Sequence, residues 1–153
     1  LQGGAERVYA VDVGHGQLDW QLRRNPKVVV LEQVNARSLS REQVPEAIDL
    51  IVCDASFIGL ETVLPAPLAL GAPDADLVAL IKPQFEVGKD QVGKGGVVRD
   101  AALRAAVCDR IEGWMRAQGW DVRGTTPSPV LGPKGNQEFL VAARRLAGDR
   151  DAV

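Results

Sequence analysis

Apolar runs alternate with more polar stretches along the first half of the chain. Four of these runs end at a charged residue and predict strands, at residues 7–12, 27–32, 48–54 and 76–82. The run at 27–32 is rich in valine, which is typical of a strand buried on both faces. The stretches between the runs predict short helices, at residues 17–24, 40–46 and 60–70. Strands that alternate with helices in this way indicate an α/β fold with a parallel sheet.

The second half of the chain predicts one longer helix and two closing strands. Asp100 is a suitable N-cap, and Gly119 suits the C-terminal stop. The apolar side chains between them fall on one helical face: Leu103, Val107, Ile111, Trp114 and Met115. Strands are predicted near residues 120–126 and 138–143, joined by a proline-rich, hairpin-like connection.

The segment at residues 84–98 predicts a long loop and not a helix or strand, because it is rich in glycine and lysine and follows the end of a strand. Loops of this length inside a domain are usually functional or mobile. From Lys82 to Arg99 there are four basic and two acidic residues. The segment is therefore a local basic patch, with Lys89 and Lys94 inside it, and we expect it to be mobile until it meets a ligand.

Composition limits the classes of protein that remain. The 153 residues suffice for one domain with a real core, and the apolar fraction of 46% is typical of a globular protein. The net charge is −2, whereas a domain that binds nucleic acid unaided is usually basic. Any contact with nucleic acid therefore needs a local basic patch or a partner segment.

Cysteine content and hydropathy indicate the compartment. Two separated cysteines, Cys53 and Cys108, form no disulfide framework and no zinc site, which fits a reducing cytosol, and we expect no metal. The longest apolar runs have about five residues, whereas a membrane helix needs roughly 20, and no signal peptide is visible. We therefore predict a cytoplasmic protein without a membrane span.

Charged residues end all four predicted strands, at Asp12, Glu32, Asp54 and Lys82. Ligands of open parallel sheets bind at this edge. Any single one of these residues has a plainer interpretation as a solvated loop residue or helix cap, but the set of four is more than a scaffold needs. If a strand and a Gly-rich turn preceded Asp12, it would close the second strand of a Rossmann-like half and accept hydrogen bonds from the ribose hydroxyls of an adenosine cofactor. That role does not distinguish a dinucleotide from S-adenosylmethionine.

Two further groups of residues carry candidate chemistry. Asn35 and Ala36 would hold an adenine edge with a side-chain amide and a backbone N–H, or they form a plain Asn-capped turn. Asp54 and Lys82 at neighbouring strand ends are expected to pair, with Glu138 orienting the lysine. Burial and a cationic neighbour lower the pKa of a lysine, whereas a carboxylate raises it, and a lysine tuned in this way would take a proton from a sugar hydroxyl or polarise it. The alternative is a structural ion-pair network.

From residue 7 to 144 the chain resembles the methyltransferase domain of the TlyA (hemolysin A) family, within the FtsJ-like class of rRNA 2′-O-methyltransferases. The segments that carry the resemblance are residues 8–14, 35–37, 54–58, 80–86, 94–100 and 135–139. The string Ile-Lys-Pro-Gln-Phe-Glu at 81–86 is specific. The resemblance implies a Rossmann-like class I methyltransferase fold, a mostly parallel sheet flanked by helices, and methylation of cytidine 2′-hydroxyls in ribosomal RNA.

The resemblance also implies roles for individual residues. Asp54, Lys82 and Glu138 match three members of a catalytic Lys-Asp-Lys-Glu tetrad. S-adenosylmethionine would be bound by Asp12, Asn35, Ala36 and Asp54. Ribosomal RNA or a ribosomal subunit would be the partner, contacted by Lys89, Lys94 and Arg99.

Several family features have no counterpart in this sequence: the first strand, the Gly-rich cofactor turn, the first lysine of the tetrad and an N-terminal RNA-binding headpiece. We therefore interpret the chain as N-terminally shortened. We expect it to bind S-adenosylmethionine poorly on its own, to be inactive alone, and to self-associate through exposed sheet edges.

Two other functions are weighed against methyl transfer. One is an inactive RNA-associated or haemolysis-linked module that keeps the fold without turnover. The other is a nicotinamide-dependent oxidoreductase, which only Asp12 suggests. The trio of Asp54, Lys82 and Glu138 favours methyl transfer, since a dehydrogenase needs a His or Tyr acid–base group and the single His15 is expected to have a surface role.

Overall fold

Each predicted strand forms where its apolar run lies in the sequence, in a computed structural model that describes residues 1–14, 16 and 18–146. The strands are β1 Val8–Asp12, β2 Val28–Glu32, β3 Ile48–Cys53, β4 Gly71–Ile81, β5 Trp120–Pro127 and β6 Phe139–Arg145. The described residues form two compact units. Unit 1 comprises residues 1–47 and 64–70, and unit 2 comprises residues 48–63 and 71 onwards. Organisation as one domain stays a prediction.

In unit 1, β1 and β2 form a parallel two-stranded sheet, in register from Val8 opposite Val28 to Asp12 opposite Glu32. Helix α1, Trp20–Arg23, contacts β2 and is capped by the Asp19 side chain. The prediction that β2 is buried on both faces is wrong, because all five of its residues are only partly buried. Burial on both faces needs cover on both faces, which a valine-rich run does not guarantee.

In unit 2 the strands lie in the order β3-β4-β6-β5. β3 and β4 are parallel, whereas β6 runs antiparallel to both β4 and β5. The antiparallel pairing of β5 with β6 confirms the hairpin-like connection. The α/β fold class is likewise confirmed, with a mixed sheet in this unit.

The long helix α4, Ala101–Ala117, is the prediction that the structure matches best. The Asp100 carboxylate accepts hydrogen bonds from the N–H groups of Ala102 and Leu103. The helix packs against β5 and β6. Its buried side chains share a core with apolar residues of the sheet: Val107, Ile111 and Met115 with Leu77, Ile81, Val141 and Ala143. Gly119, with φ of +86°, follows the helix as predicted.

The helix predicted at 40–46 is absent, and the helical stretch predicted at 60–70 is present but interrupted, both for local reasons. Residues 40–46 form turns instead. Gln43 Oε1 accepts from the N–H of Ser40 as at a helix start, but Pro45 disfavours helical backbone at the residue before it. Residues 60–70 form two helices, α2 Leu60–Val63 and α3 Pro65–Ala69, because proline has no N–H to continue a helix. Among the residues described, no helix is long and apolar enough to cross a membrane.

Candidate functional site

The carboxyl ends of β3 and β4 bring Asp54 and Lys82 together. Because the two strands are parallel neighbours, their ends meet at one edge of the sheet. Lys82 Nζ lies 2.5 Å from Asp54 Oδ1 and donates a hydrogen bond to Ser56 Oγ at 3.2 Å. Lys82 is 8% exposed, whereas the Asp54 side chain is 69% exposed. The predicted pairing is confirmed, and it presents a buried amine next to an open carboxylate.

Glu138 reaches the same edge from β6. Ile81 and Phe139 are register partners in the antiparallel β4–β6 pair, so Lys82 and Glu138, one residue beyond them, lie at the same level of neighbouring strands. Glu138 is 6% exposed, and its Oε2 accepts a hydrogen bond of 2.7 Å from Gln84 Nε2. The hydrogen-bond partner of the Glu138 carboxylate is thus an amide. The role of Glu138 in orienting Lys82 stays a prediction.

Gln84 is a residue that the sequence analysis missed. It belongs to the 3₁₀ turn Pro83–Phe85, which begins directly after Lys82. Its nearness to Lys82 along the chain was the available signal, but its bond to a residue 54 positions away was not visible in any local pattern.

Asn136 joins the end of the segment at residues 84–98, called the basic loop from here on, to this edge of the sheet. Its side chain is buried, with Oδ1 accepting from Val98 N at 3.0 Å and Nδ2 donating to Gly96 O at 2.9 Å and Pro133 O at 3.1 Å. Two separate motifs of the sequence, around residues 94–100 and 135–139, are therefore parts of one hydrogen-bonded structure.

Glu86, the last residue of the 81–86 string, connects two helices by hydrogen bonds. It accepts a hydrogen bond of 2.9 Å from Leu60 N at the start of α2, and Arg110 of α4 donates to it at 2.8 Å. Burial raises the pKa of Glu86, although the Leu60 N–H and Arg110 oppose this.

Burial also raises the pKa of the Cys53 thiol, with the nearby Asp54 charge adding to it, so Cys53 is not a thiolate nucleophile at neutral pH.

Phe57, three residues beyond Asp54, is an exposed aromatic that the sequence analysis did not single out. It is 89% exposed, its φ is +63°, and its ring centroid lies 4.8 Å from that of Phe85. A bulky residue with positive φ is a strained conformation of the kind that clusters at ligand sites.

The basic loop is held by several hydrogen bonds of its own. Arg99 Nη1 donates to the carbonyl of Lys94 at 2.9 Å, and an isolated bridge joins Gly93 to Val97. Lys89 and Lys94 are exposed, whereas the guanidinium of Arg99 is engaged in shaping the turn. The predicted mobility of the loop and its contacts with RNA stay predictions.

In unit 1, Asp12 and Glu32 end adjacent strands beside a cavity of about 200 Å³. Asp12 Oδ1 accepts from Gly14 N at 2.9 Å and its side chain is exposed. Glu32 pairs with Arg23 and accepts from Gly16 N, so it is engaged within the fold. The cavity is lined by Ala10, Val11, Asp12, Leu18, Val30 and Glu32. Of the two acids, Asp12 is the better candidate to bind a ligand.

Asn35 forms the Asn-capped turn that was its alternative interpretation. Its Oδ1 accepts from Arg37 N at 3.0 Å, and the 3₁₀ turn Ala36–Ser38 follows. Binding of a cofactor by Asn35 and Ala36 stays a prediction. Among the described residues there is no cluster of His, Cys, Asp and Glu that would hold a metal ion.

Comparison with known proteins places these observations in a family. The FtsJ-like methyltransferase family matches residues 1–145. The chain is 51% identical over 144 residues to the 16S/23S rRNA (cytidine-2′-O)-methyltransferase TlyA of Mycobacterium tuberculosis, covering 94% of this chain and 54% of the relative. It is 42% identical over 142 residues to the putative rRNA methyltransferase YqxC of Bacillus subtilis, covering 92% and 50%. The chain thus spans about half the length of the curated relatives it matches.

Solved structures agree with this placement. A putative hemolysin from Lactococcus lactis superposes with a TM-score of 0.90 at 37% identity, covering 95% of this chain and 70% of that one. The N-methyltransferase NodS from Bradyrhizobium japonicum superposes with a TM-score of 0.56 at 14% identity, covering 91% and 73%, a likeness of fold alone.

Proposed function

The chain belongs to the FtsJ-like methyltransferase family, and from that premise we propose that it methylates the 2′-hydroxyl of cytidine in ribosomal RNA with S-adenosylmethionine. The observation that carries the proposal is the buried Lys82 amine, 2.5 Å from Asp54 at the carboxyl edge of the sheet. The names of the relatives from M. tuberculosis and B. subtilis, both rRNA methyltransferases, support the substrate class. Ribosomal RNA as partner and a cytoplasmic location belong to the same proposal.

The residues present fit an adenosine cofactor. Asp12 offers an exposed carboxylate beside a mainly apolar cavity, a combination suited to ribose hydroxyls and an adjoining base. Asp12, Asn35 and Ala36, all in unit 1, would hold the adenosine part. A role of Asp54 in cofactor binding stays a prediction. S-adenosylmethionine supplies the electrophilic methyl group when it is bound.

Lys82 acts on the sugar hydroxyl in this proposal. Asp54 and Ser56 fix its Nζ from two sides, so the amine meets the hydroxyl in one orientation. There it would take the hydroxyl proton or polarise the O–H bond, which makes the sugar oxygen a better nucleophile. The methyl group would come from S-adenosylmethionine, which would leave as the thioether S-adenosylhomocysteine. The exposed ring of Phe57 offers a surface on which an unpaired base stacks.

The test of the proposal is a methyl-transfer assay with the protein at its full natural length. We expect label from S-adenosylmethionine to enter ribosomal RNA or ribosomal subunits, and nuclease digestion with mass spectrometry to find 2′-O-methylcytidine. Label on a base instead of the ribose would contradict the proposed reaction. RNA binding without any transfer would favour the alternative of an inactive RNA-associated module.

The basic loop gives a second prediction. Replacing Lys89 and Lys94 together by alanine is expected to weaken RNA binding and to reduce the slope of log affinity against log salt by about 1.4 to 1.8, since each lost phosphate contact removes about 0.7 to 0.9. Filter binding over a salt series measures both quantities. Lys27→Ala, which removes an exposed lysine outside the loop, is the control and should leave the slope unchanged. An unchanged slope in the double variant would argue against RNA contact by this loop.

A further inference from the structure

We infer that Gln84 and Gly132 are positioning residues that fix the Glu138 carboxylate in the methyl-transfer site. This inference rests on the proposed function. The two residues are not proposed to contact substrate or cofactor. They act through Glu138.

The first observation is the geometry of the Gln84 amide. Gln84 is 9% exposed and its Nε2 donates to Glu138 Oε2 at 2.7 Å. A flipped amide would place its oxygen against the carboxylate oxygen, acceptor against acceptor, so the bond to Glu138 determines which way the amide lies.

This orientation leaves Gln84 Oε1 buried with no hydrogen-bond donor among the residues that the structure describes. A buried orphan acceptor costs free energy, and in native proteins it calls for a specific reason. An apolar side chain of similar size would bury no orphan amide oxygen, but it would also remove the donor to Glu138 Oε2. Holding the carboxylate of Glu138 is the reason that the contacts supply.

The second observation is the close approach of Gly132 to the same carboxylate. A Cβ at position 132 would stand 2.6 Å from Glu138 Cδ and 3.2 Å from its Cγ, closer than carbon atoms pack. The φ of Gly132 is −76°, which any residue adopts, so the requirement for glycine is steric and not conformational. Gln84 thus holds Glu138 by a hydrogen bond, and Gly132 leaves the space in which its carboxylate lies.

The consequence for the reaction follows from the sheet register. Glu138 lies level with Lys82 on the neighbouring strand, so a shift of its carboxylate changes the electrostatic surroundings of the amine. A misplacement of about 1 Å in such a site costs on the order of 100-fold in rate. The side chain of Gln84 hydrogen-bonds to Glu138, which is assigned to the reaction and not to the binding of RNA or cofactor, so the effect is expected in kcat and not in the binding of substrates.

Gln84→Met tests the hydrogen bond, since methionine keeps the length and removes the donor. In the protein at its full natural length, we expect kcat for transfer to ribosomal RNA to fall about 10- to 100-fold, with KM for RNA and for S-adenosylmethionine unchanged. The control is Gln137→Met, which removes the neighbouring amide. That amide donates to the backbone carbonyls of Ser128 and Glu138 and not to the carboxylate. The control should keep kcat within about threefold.

Gly132→Ala tests the steric part and keeps the inference open to refutation if Gln84→Met does not fold. The added methyl group displaces the end of the Glu138 side chain, and we expect a comparable fall in kcat in a protein that stays folded. Gly113→Ala is the matched control, because a Cβ there meets nothing within 4 Å.

A double-mutant cycle with Glu138→Gln separates positioning from a general structural role. If Gln84 and Gly132 act through the carboxylate, neither change lowers kcat further in the Glu138→Gln background. Additive losses in that background, or full activity of both single variants beside an active unaltered protein, would overturn the inference alone. Absence of methyl transfer by the unaltered protein would instead overturn the proposed function and this inference with it.

Discussion

Lys82→Ala is expected to abolish methyl transfer to ribosomal RNA, by a factor of about 10² to 10⁴ in rate, while S-adenosylmethionine affinity stays within about threefold. The physical reason is that Lys82 supplies a buried amine at the carboxyl edge of β4, fixed by Asp54 and Ser56. Single-turnover kinetics and calorimetry on the protein at its full natural length measure the two quantities separately.

The Lys82 variant should remain folded, which makes the loss of activity interpretable. Its ionic partner Asp54 is 69% exposed, so water solvates the carboxylate once the amine is gone. Circular dichroism and thermal unfolding check this. Lys82→Arg is the conservative comparison: it keeps the charge but stays protonated, so it separates polarisation of the hydroxyl from removal of its proton. A Lys82→Ala protein that keeps more than about a tenth of the activity would remove Lys82 from the reaction.

Asp12→Ala is expected to weaken S-adenosylmethionine binding by about 10- to 100-fold, because hydrogen bonds to a charged group contribute roughly 1.5–3 kcal/mol. Asp12 ends β1 beside the cavity of unit 1, with its carboxylate exposed. Isothermal titration calorimetry measures the affinity directly.

Two further variants distinguish cofactor binding from an effect on the local turn. Asp12 Oδ1 also accepts from Gly14 N, and Asp12→Asn keeps an acceptor for that bond while removing the charge. An affinity of Asp12→Asn between those of the unaltered protein and Asp12→Ala is therefore expected. Asp49→Ala removes an exposed strand acid elsewhere and serves as the charge control. Unchanged affinity in Asp12→Ala would refute the role of Asp12.

Local patterns were enough for much of the fold. The strands are found at their apolar runs, and α4 begins after Asp100 and ends before Gly119, because periodicity and capping are properties of neighbouring residues. Pairing of Asp54 with Lys82 was also predictable, since parallel neighbouring strands end at the same edge. The helix predicted at 40–46 is absent although the signal against it was equally local, in Pro45.

The sequence by itself therefore determined the strands, the long helix, the family resemblance and the two residues that meet at the ends of β3 and β4. Only the tertiary structure decided that the β2 residues are partly buried, that Glu86 ties α2 to α4, and that Gln84 and Gly132 both lie against the Glu138 carboxylate. These are contacts between residues far apart in the chain, and neither periodicity nor capping carries information about them. The register of β6 against β4 brings Glu138 level with Lys82, and that register is fixed by packing across the whole sheet.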